Sequence, residues 1–216
     1  VIKLTAFNIK VLAAVFMLMD HVYSVLMPNL VILHYVGRLS FPLFAWLLAE
    51  GEKHTRNIYR YGSRLLIAAI ISQPIYIIVF RKSFLNILFT LLIGLIMLRL
   101  VRRYPRLLQQ IPMVGLCALI AEIFRCEYGA YGIGVIFLMS LTDKLKPAIW
   151  ALSWCILHFV AFVASGNSLA QNLAIFAGII VFQFNSKQGP RARWFYAFYP
   201  GHLLILGLIR HFIFST

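Results

Sequence analysis

Long apolar runs alternate with short polar breaks along the whole 216-residue chain. The runs predict membrane-spanning helices near 8–27, 31–49, 57–80, 85–101, 111–125, 130–142, 148–165, 169–183 and 194–214. A crossing takes about 20 residues, and the sixth run is short enough to be tilted or re-entrant, so about eight to ten spans fit around a central count of nine. Pro28–Asn29, Gly51, Pro105, Pro112, Gly129, Pro147, Gly166–Asn167 and Gly189–Pro190 supply the breaks. No repeat, low-complexity tract or soluble insert interrupts the pattern. The predicted fold is all-α, a polytopic transmembrane helix bundle forming one domain over 1–216.

Composition narrows the class. The chain is 62% hydrophobic and 12% charged, whereas soluble domains carry about 25% charged residues. A water-soluble enzyme, a disordered chain and a disulfide scaffold are excluded. Cys117, Cys126 and Cys155 show no metal-ligand spacing. No signal-peptide pattern ends in a cleavage site, so the first apolar stretch is expected to be a retained span. The net charge of +14 would suggest nucleic acid in a soluble protein, but here the basic residues follow the loops. With the N-terminus inside, inner segments hold fourteen: Lys3, Lys10, Lys53, Arg56, Arg60, Arg99, Arg102, Arg103, Arg106, Lys144, Lys146, Lys187, Arg191 and Arg193. Outer segments hold only Arg81, Lys82, Arg125 and Arg210. That asymmetry predicts an N-in, C-out topology and no nucleic-acid partner.

Two cations, Arg38 and Arg64, fall inside spans. An ionisable residue there costs about 2.5–3.5 kcal/mol on insertion scales and needs a partner or a task. Asp20 and His21 lie roughly 16–20 Å into the first span, and Arg38 reaches about the same level from the other side. An Asp20–Arg38 pair would compensate both charges. His21 points about 100° away from Asp20 on the helix and is free to face a substrate. His158 is expected to bond a neighbouring helix, and Glu122 to pair locally with Arg125 at i+3. At the inner surface, Glu50, Glu52, Lys53, His54, Thr55, Arg56, Arg60, Tyr61 and Arg64 cluster. This is either a solvated basic loop or a cradle for an anionic cytoplasmic cofactor, because arginine pairs bidentately with phosphate. Gln73-Pro74, Asn86 and Thr90 lie toward the outer side, and Tyr199-Pro200-Gly201-His202 in the last span.

The run from Lys10 to Met19-Asp20-His21 resembles the opening of the TraX family. So do Gly37-Arg38-Leu39-Ser40-Phe41-Pro42-Leu43-Phe44, Glu50-Gly51, Thr55, Tyr61, Arg64-Leu65, Gln73-Pro74, Asn86 to Thr90, Tyr128-Gly129, Phe195-Tyr196-Ala197-Phe198-Tyr199-Pro200 and His202. Glu127 stands where the family would place Asp, which keeps the carboxylate. The name-giver of the family N-acetylates conjugative pilin. The resemblance therefore implies a multi-pass acetyltransferase of the bacterial inner membrane that uses acetyl-CoA as acetyl donor. It implies no metal, membrane lipid as surroundings, and an acceptor that is a peptide N-terminus, a glycan or a lipid. Placed on this chain, His21 becomes general base in a direct transfer, with a transient acetyl group carried on its ring as the alternative, Asp20 its electrostatic neighbour and Arg38 the stabiliser of the developing oxyanion. Glu50, Thr55, Arg56, Arg60, Tyr61, Arg64, Tyr199 and His202 become donor-binding candidates, and Gln73, Asn86 and Thr90 substrate-side ones. The alternatives are a small proton-coupled transporter using the same buried charges and a non-catalytic scaffold. The transporter is disfavoured by the lack of an internal repeat.

Overall fold

A computed structural model describes residues 3–164, 169–190, 192 and 194–214. Gly166–Asn167, Arg191 and Arg193, used above as a break and as loop charges, lie outside the described residues. The described chain is helical throughout, apart from connecting turns and two isolated bridges, Leu4–Phe184 and Leu85–Cys126.

Its helices are α1 (Ala6–Val25), α2 (Val31–Gly37), α3 (Ser40–His54), α4 (Ile58–Phe80), α5 (Ile87–Val101), α6 (Leu107–Ile123), α7 (Gly129–Met139), α8 (Pro147–Ala164), α9 (Leu169–Asn172), α10 (Ala177–Val181) and α11 (Phe195–Phe214). They fall on the nine predicted segments, but two segments are broken. The second is α2 and α3, interrupted at Arg38–Leu39, and the eighth is α9 and α10 joined by a 3-10 turn over Leu173–Phe176. Polar side chains start the main helices. Thr5 caps α1 by accepting the Asn8 amide at 3.2 Å, Asn57 caps α4, and Asn86 caps α5.

Four helical stretches are long and apolar enough to cross a bilayer by length and composition: Ala6–Val25, Val31–His54, Ile58–Phe80 and Pro147–Ala164. The exposed faces of α4 and α8 carry Ile67, Ile70, Ile78, Leu152, Phe159 and Val160, an apolar surface that suits hydrocarbon rather than water. α7 has only 11 residues, about 16 Å of rise. It lies inside the bundle with Ile133, Val135, Ile136 and Met139 fully buried.

Contacts sort the connecting segments into two ends. At the basic end, Lys53 pairs with Asp143 at 3.0 Å, Glu52 lies between Arg99 and Arg102, Gln188 donates to Glu50 at 3.3 Å, and the Ala6 amide donates to Lys187 O at 2.9 Å. At the other end, the Leu85 amide donates to Arg125 O at 3.1 Å and Arg210 donates to Val79 O at 2.9 Å. Segments predicted inside meet one another, and so do those predicted outside. One predicted local pair takes another form: Glu122 accepts the Ala130 amide at 2.7 Å at the start of α7, while Arg125 lies over the Phe84 ring. A positive φ of 50° at Arg125 turns the chain out of α6, and the carboxylate meets the free amides of the next helix instead.

Candidate functional site

A cavity of about 640 Å³ runs between α1, α3, α4, α5 and α11. That volume is typical of small-molecule sites. Lys10, Met17, Asp20 and His21 mark its course along α1; from Lys10 to His21 the helix rises about 16 Å. The outer part is walled by Lys10, His54, Thr55, Tyr61, Arg64 and Gly189, and the deep part by Asp20, His21, Ser40, Glu127, Tyr128 and Tyr199.

The deep end is built on a close approach. Gly37 packs on the backbone of Asp20, where a Cβ would come within 2.8 Å of Asp20 Cα. This contact sets Arg38 beside α1. Arg38 Nη2 donates to Asp20 Oδ2 at 2.6 Å and Nη1 to the Tyr128 hydroxyl at 3.1 Å and Gln171 Oε1 at 3.3 Å. His34, one turn before Arg38, donates through Nδ1 to Asp20 Oδ1 at 2.8 Å. Both oxygens of Asp20 are thus engaged. The Asp20–Arg38 pair expected from depth is present, but Arg38 stands behind Asp20 and Tyr128 and is absent from the cavity wall, so it meets the cavity through those two residues.

Tyr128 has φ 66°, a left-handed backbone that costs a non-glycine residue about 1–2 kcal/mol. Stacking on Phe41 at 4.3 Å and the Arg38 bond hold it there. Its hydroxyl accepts from Arg38 and keeps its own proton for another acceptor. The neighbouring Glu127 carboxyl is pushed above the usual carboxylate range, chiefly by burial.

His21 turns away from Asp20, as consecutive helical residues must. Its Nδ1 lies 2.7 Å from His202 Nε2, and its ring meets Phe80 and Tyr199 edge-on. His202, a donor-binding candidate by sequence, is instead the partner of His21 and is not part of the wall. Tyr199 lines the deep cavity with a buried hydroxyl that has no hydrogen-bond partner among the described residues.

Among the basic candidates, Arg64 lines the mouth and lies over the Tyr196 ring at 5.5 Å. Arg56 and Arg60 are exposed and outside the wall. Glu50, Thr55 and Tyr61 do line it, with Glu50 held by Lys53, His54 and Gln188. Gln73, Asn86 and Thr90 take no part in the wall. The Asn86 side chain donates to Ala69 O and Gln73 Oε1 and accepts from the Leu88 amide, and the Thr90 hydroxyl donates to Glu127 O. Their hydrogen-bonding groups close on the protein, which corrects the substrate-side expectation. His158 does bond a neighbouring helix, through Tyr131 at 3.2 Å.

Sequence reasoning passed over Lys10, His34 and Gln171. Lys10 shares a face with Met17 and His21 at i+7 and i+11, and His34 precedes Arg38 by four; both spacings are readable. Gln171 carries no such signal. Among the described residues no cluster of three or more His, Cys, Asp or Glu could hold a metal ion.

A family model described as TraX protein matches residues 6–210. The chain is 30% identical over 244 aligned positions, covering 98% of each sequence, to a protein of Dichelobacter nodosus named probable fimbrial assembly protein FimC, serogroup H1. No solved structure matches.

Proposed function

The chain belongs to the TraX family, and from that premise we propose that it is a multi-pass acetyltransferase of the bacterial inner membrane, moving an acetyl group from cytoplasmic acetyl-CoA to an amine or hydroxyl. One observation carries the proposal: a single cavity joins a mouth bearing Lys10 and Arg64 to an imidazole at its deep end. The family's name-giver acts on pilin and the Dichelobacter relative is named for fimbrial assembly, so the amino terminus of a pilus subunit is the first acceptor to try.

Acetyl-CoA would supply a thioester already activated for acyl transfer. Lys10 and Arg64 attract the phosphates at the mouth; neither is ion-paired to a carboxylate in the described structure. The cavity depth suits a slender arm that carries the thioester to His21. His21 Nε2 takes the acceptor's proton as the new bond to the acetyl carbon forms. Tyr128, polarised by Arg38, donates toward the carbonyl oxygen as negative charge develops there. His21 then returns its proton to the departing sulfur, and the neutral thiol leaves.

The experiment uses the purified protein in lipid nanodiscs. Acetyl-CoA is expected to raise Tm, and label from its acetyl group to appear on an apolar synthetic peptide with a free amino terminus. His21→Ala is expected to keep the Tm shift and lose the transfer. Absence of any shift with acetyl-CoA, or wild-type transfer by His21→Ala, would overturn the proposal. Proton uptake into vesicles without acetyl transfer would favour the transporter.

A further inference from the structure

We propose that His202 is a positioning residue that fixes which nitrogen of His21 is bare, an inference that rests on the reading of His21 as base. The direction of the hydrogen bonds leads to it. The Phe198 carbonyl can only accept, and His202 Nδ1 lies 2.7 Å from it, so His202 carries its proton on Nδ1. A neutral His202 then offers a lone pair on Nε2, and that atom faces His21 Nδ1 at 2.7 Å. His21 Nδ1 must therefore donate, which leaves Nε2 of His21 as the bare nitrogen on a ring that lines the cavity.

The opposite direction would require His202 to carry both protons as a cation. It is 6% exposed, and its described hydrogen-bond partners are the Phe198 carbonyl and His21, with no carboxylate. Asp20 cannot set the tautomer in its place, since Arg38 and His34 hold both of its oxygens. The groups that face His21 are the charged Asp20 on its own helix, Arg38 at the α2–α3 break and Lys82 beyond α4, and the neutral, titratable His202 on α11. Of these, His202 alone is hydrogen-bonded to the His21 ring. Packing keeps the geometry: the rings of His21 and His202 are within 5° of parallel, and His202 stacks on Phe198 at 4.8 Å. When Nε2 takes a proton during transfer, the Nδ1 proton can shift across the contact, so the positive charge is shared by two rings.

Two variants separate position from bulk. His202→Phe keeps a flat ring but removes the acceptor; His202→Gln offers an amide oxygen to His21 Nδ1. Nitrogen NMR of histidine-labelled protein in nanodiscs, assigned against His21→Ala, reads the tautomer without any acetyl donor. The expected result is a Nδ1-protonated His21 in wild type and in His202→Gln, and loss of that preference in His202→Phe. In acetyl transfer to the apolar peptide, His202→Phe is expected to lower kcat about tenfold to a hundredfold. Its KM for acetyl-CoA stays within about twofold of wild type, and His202→Gln recovers most of the rate. A His21 protonated on Nε2 in wild type, or a tautomer unmoved by His202→Phe, overturns the inference whatever the enzyme assay shows. Should His21→Ala transfer acetyl normally while the tautomer follows position 202, it is the base reading that falls and the positioning that stands.

Discussion

The surroundings of Asn86 and of His21 are made from the same kinds of polar side chain, yet they are wired in opposite ways. Around Asn86 the circuit is closed: its amide nitrogen, its oxygen and its backbone N–H all have protein partners, and it is 0% exposed. Around His21 the circuit is open. Among the described residues the His21 ring is hydrogen-bonded at Nδ1 alone, the Tyr199 hydroxyl has no partner, and Lys10 has the Phe195 ring at 5.6 Å as its neighbour. In a medium without water a closed circuit holds helices together, whereas an open one is ready for a guest. Polarity alone does not tell a fastening from an open site; an unfilled valence on a cavity wall, as at Tyr199, marks the difference.

Four changes would break or sharpen that contrast. His21→Ala should reduce acetyl transfer at least a hundredfold, the scale of a lost general base, while Tm moves little. Asn86→Ala should do the reverse, lowering stability by about 2–4 kcal/mol through a lost cap and stranded partners, with the acetyl-CoA response of the remaining folded protein intact. Lys10→Ala should weaken acetyl-CoA binding about tenfold, the loss of one charge-assisted contact, read as a smaller ligand-induced Tm shift.

The smallest effect belongs to Glu127→Gln. Burial raises the folded-state value of the Glu127 carboxyl, so its contribution to stability is present below the ordinary carboxylate range and is lost as pH rises through that raised value. The substitution should flatten this part of the Tm–pH curve. An unchanged slope would assign the titration to another group.

Much of the architecture is legible in the sequence because lipid imposes a simple rule: apolar runs of the right length, with breaks between them. The nine helical segments and the sorting of basic loops to one end follow from it. The break at Arg38–Leu39 is hidden inside a long apolar run: Gly37, Ser40 and Pro42 weaken the helix there, and the docking of Gly37 on Asp20 fixes the bend. The Asp20–Arg38 pair is readable from depth. The His21–His202 contact is not, because 181 residues separate the partners and rotation about a helix axis cannot be fixed by one chain's polarity. Asn86 and Thr90 mislead for the opposite reason: a string of letters records a polar group but not whether something already occupies it.

Position 37 has no chemistry of its own, since its side chain is a single hydrogen atom. Yet a methyl group there would press into the main chain at Asp20 and swing the guanidinium next door out of register. Scanning every amino acid through this position would flag it as indispensable, as though it were a reacting group. The tolerance of the whole charged cluster to genetic drift is thus set by a neighbour that brings no functional group to it.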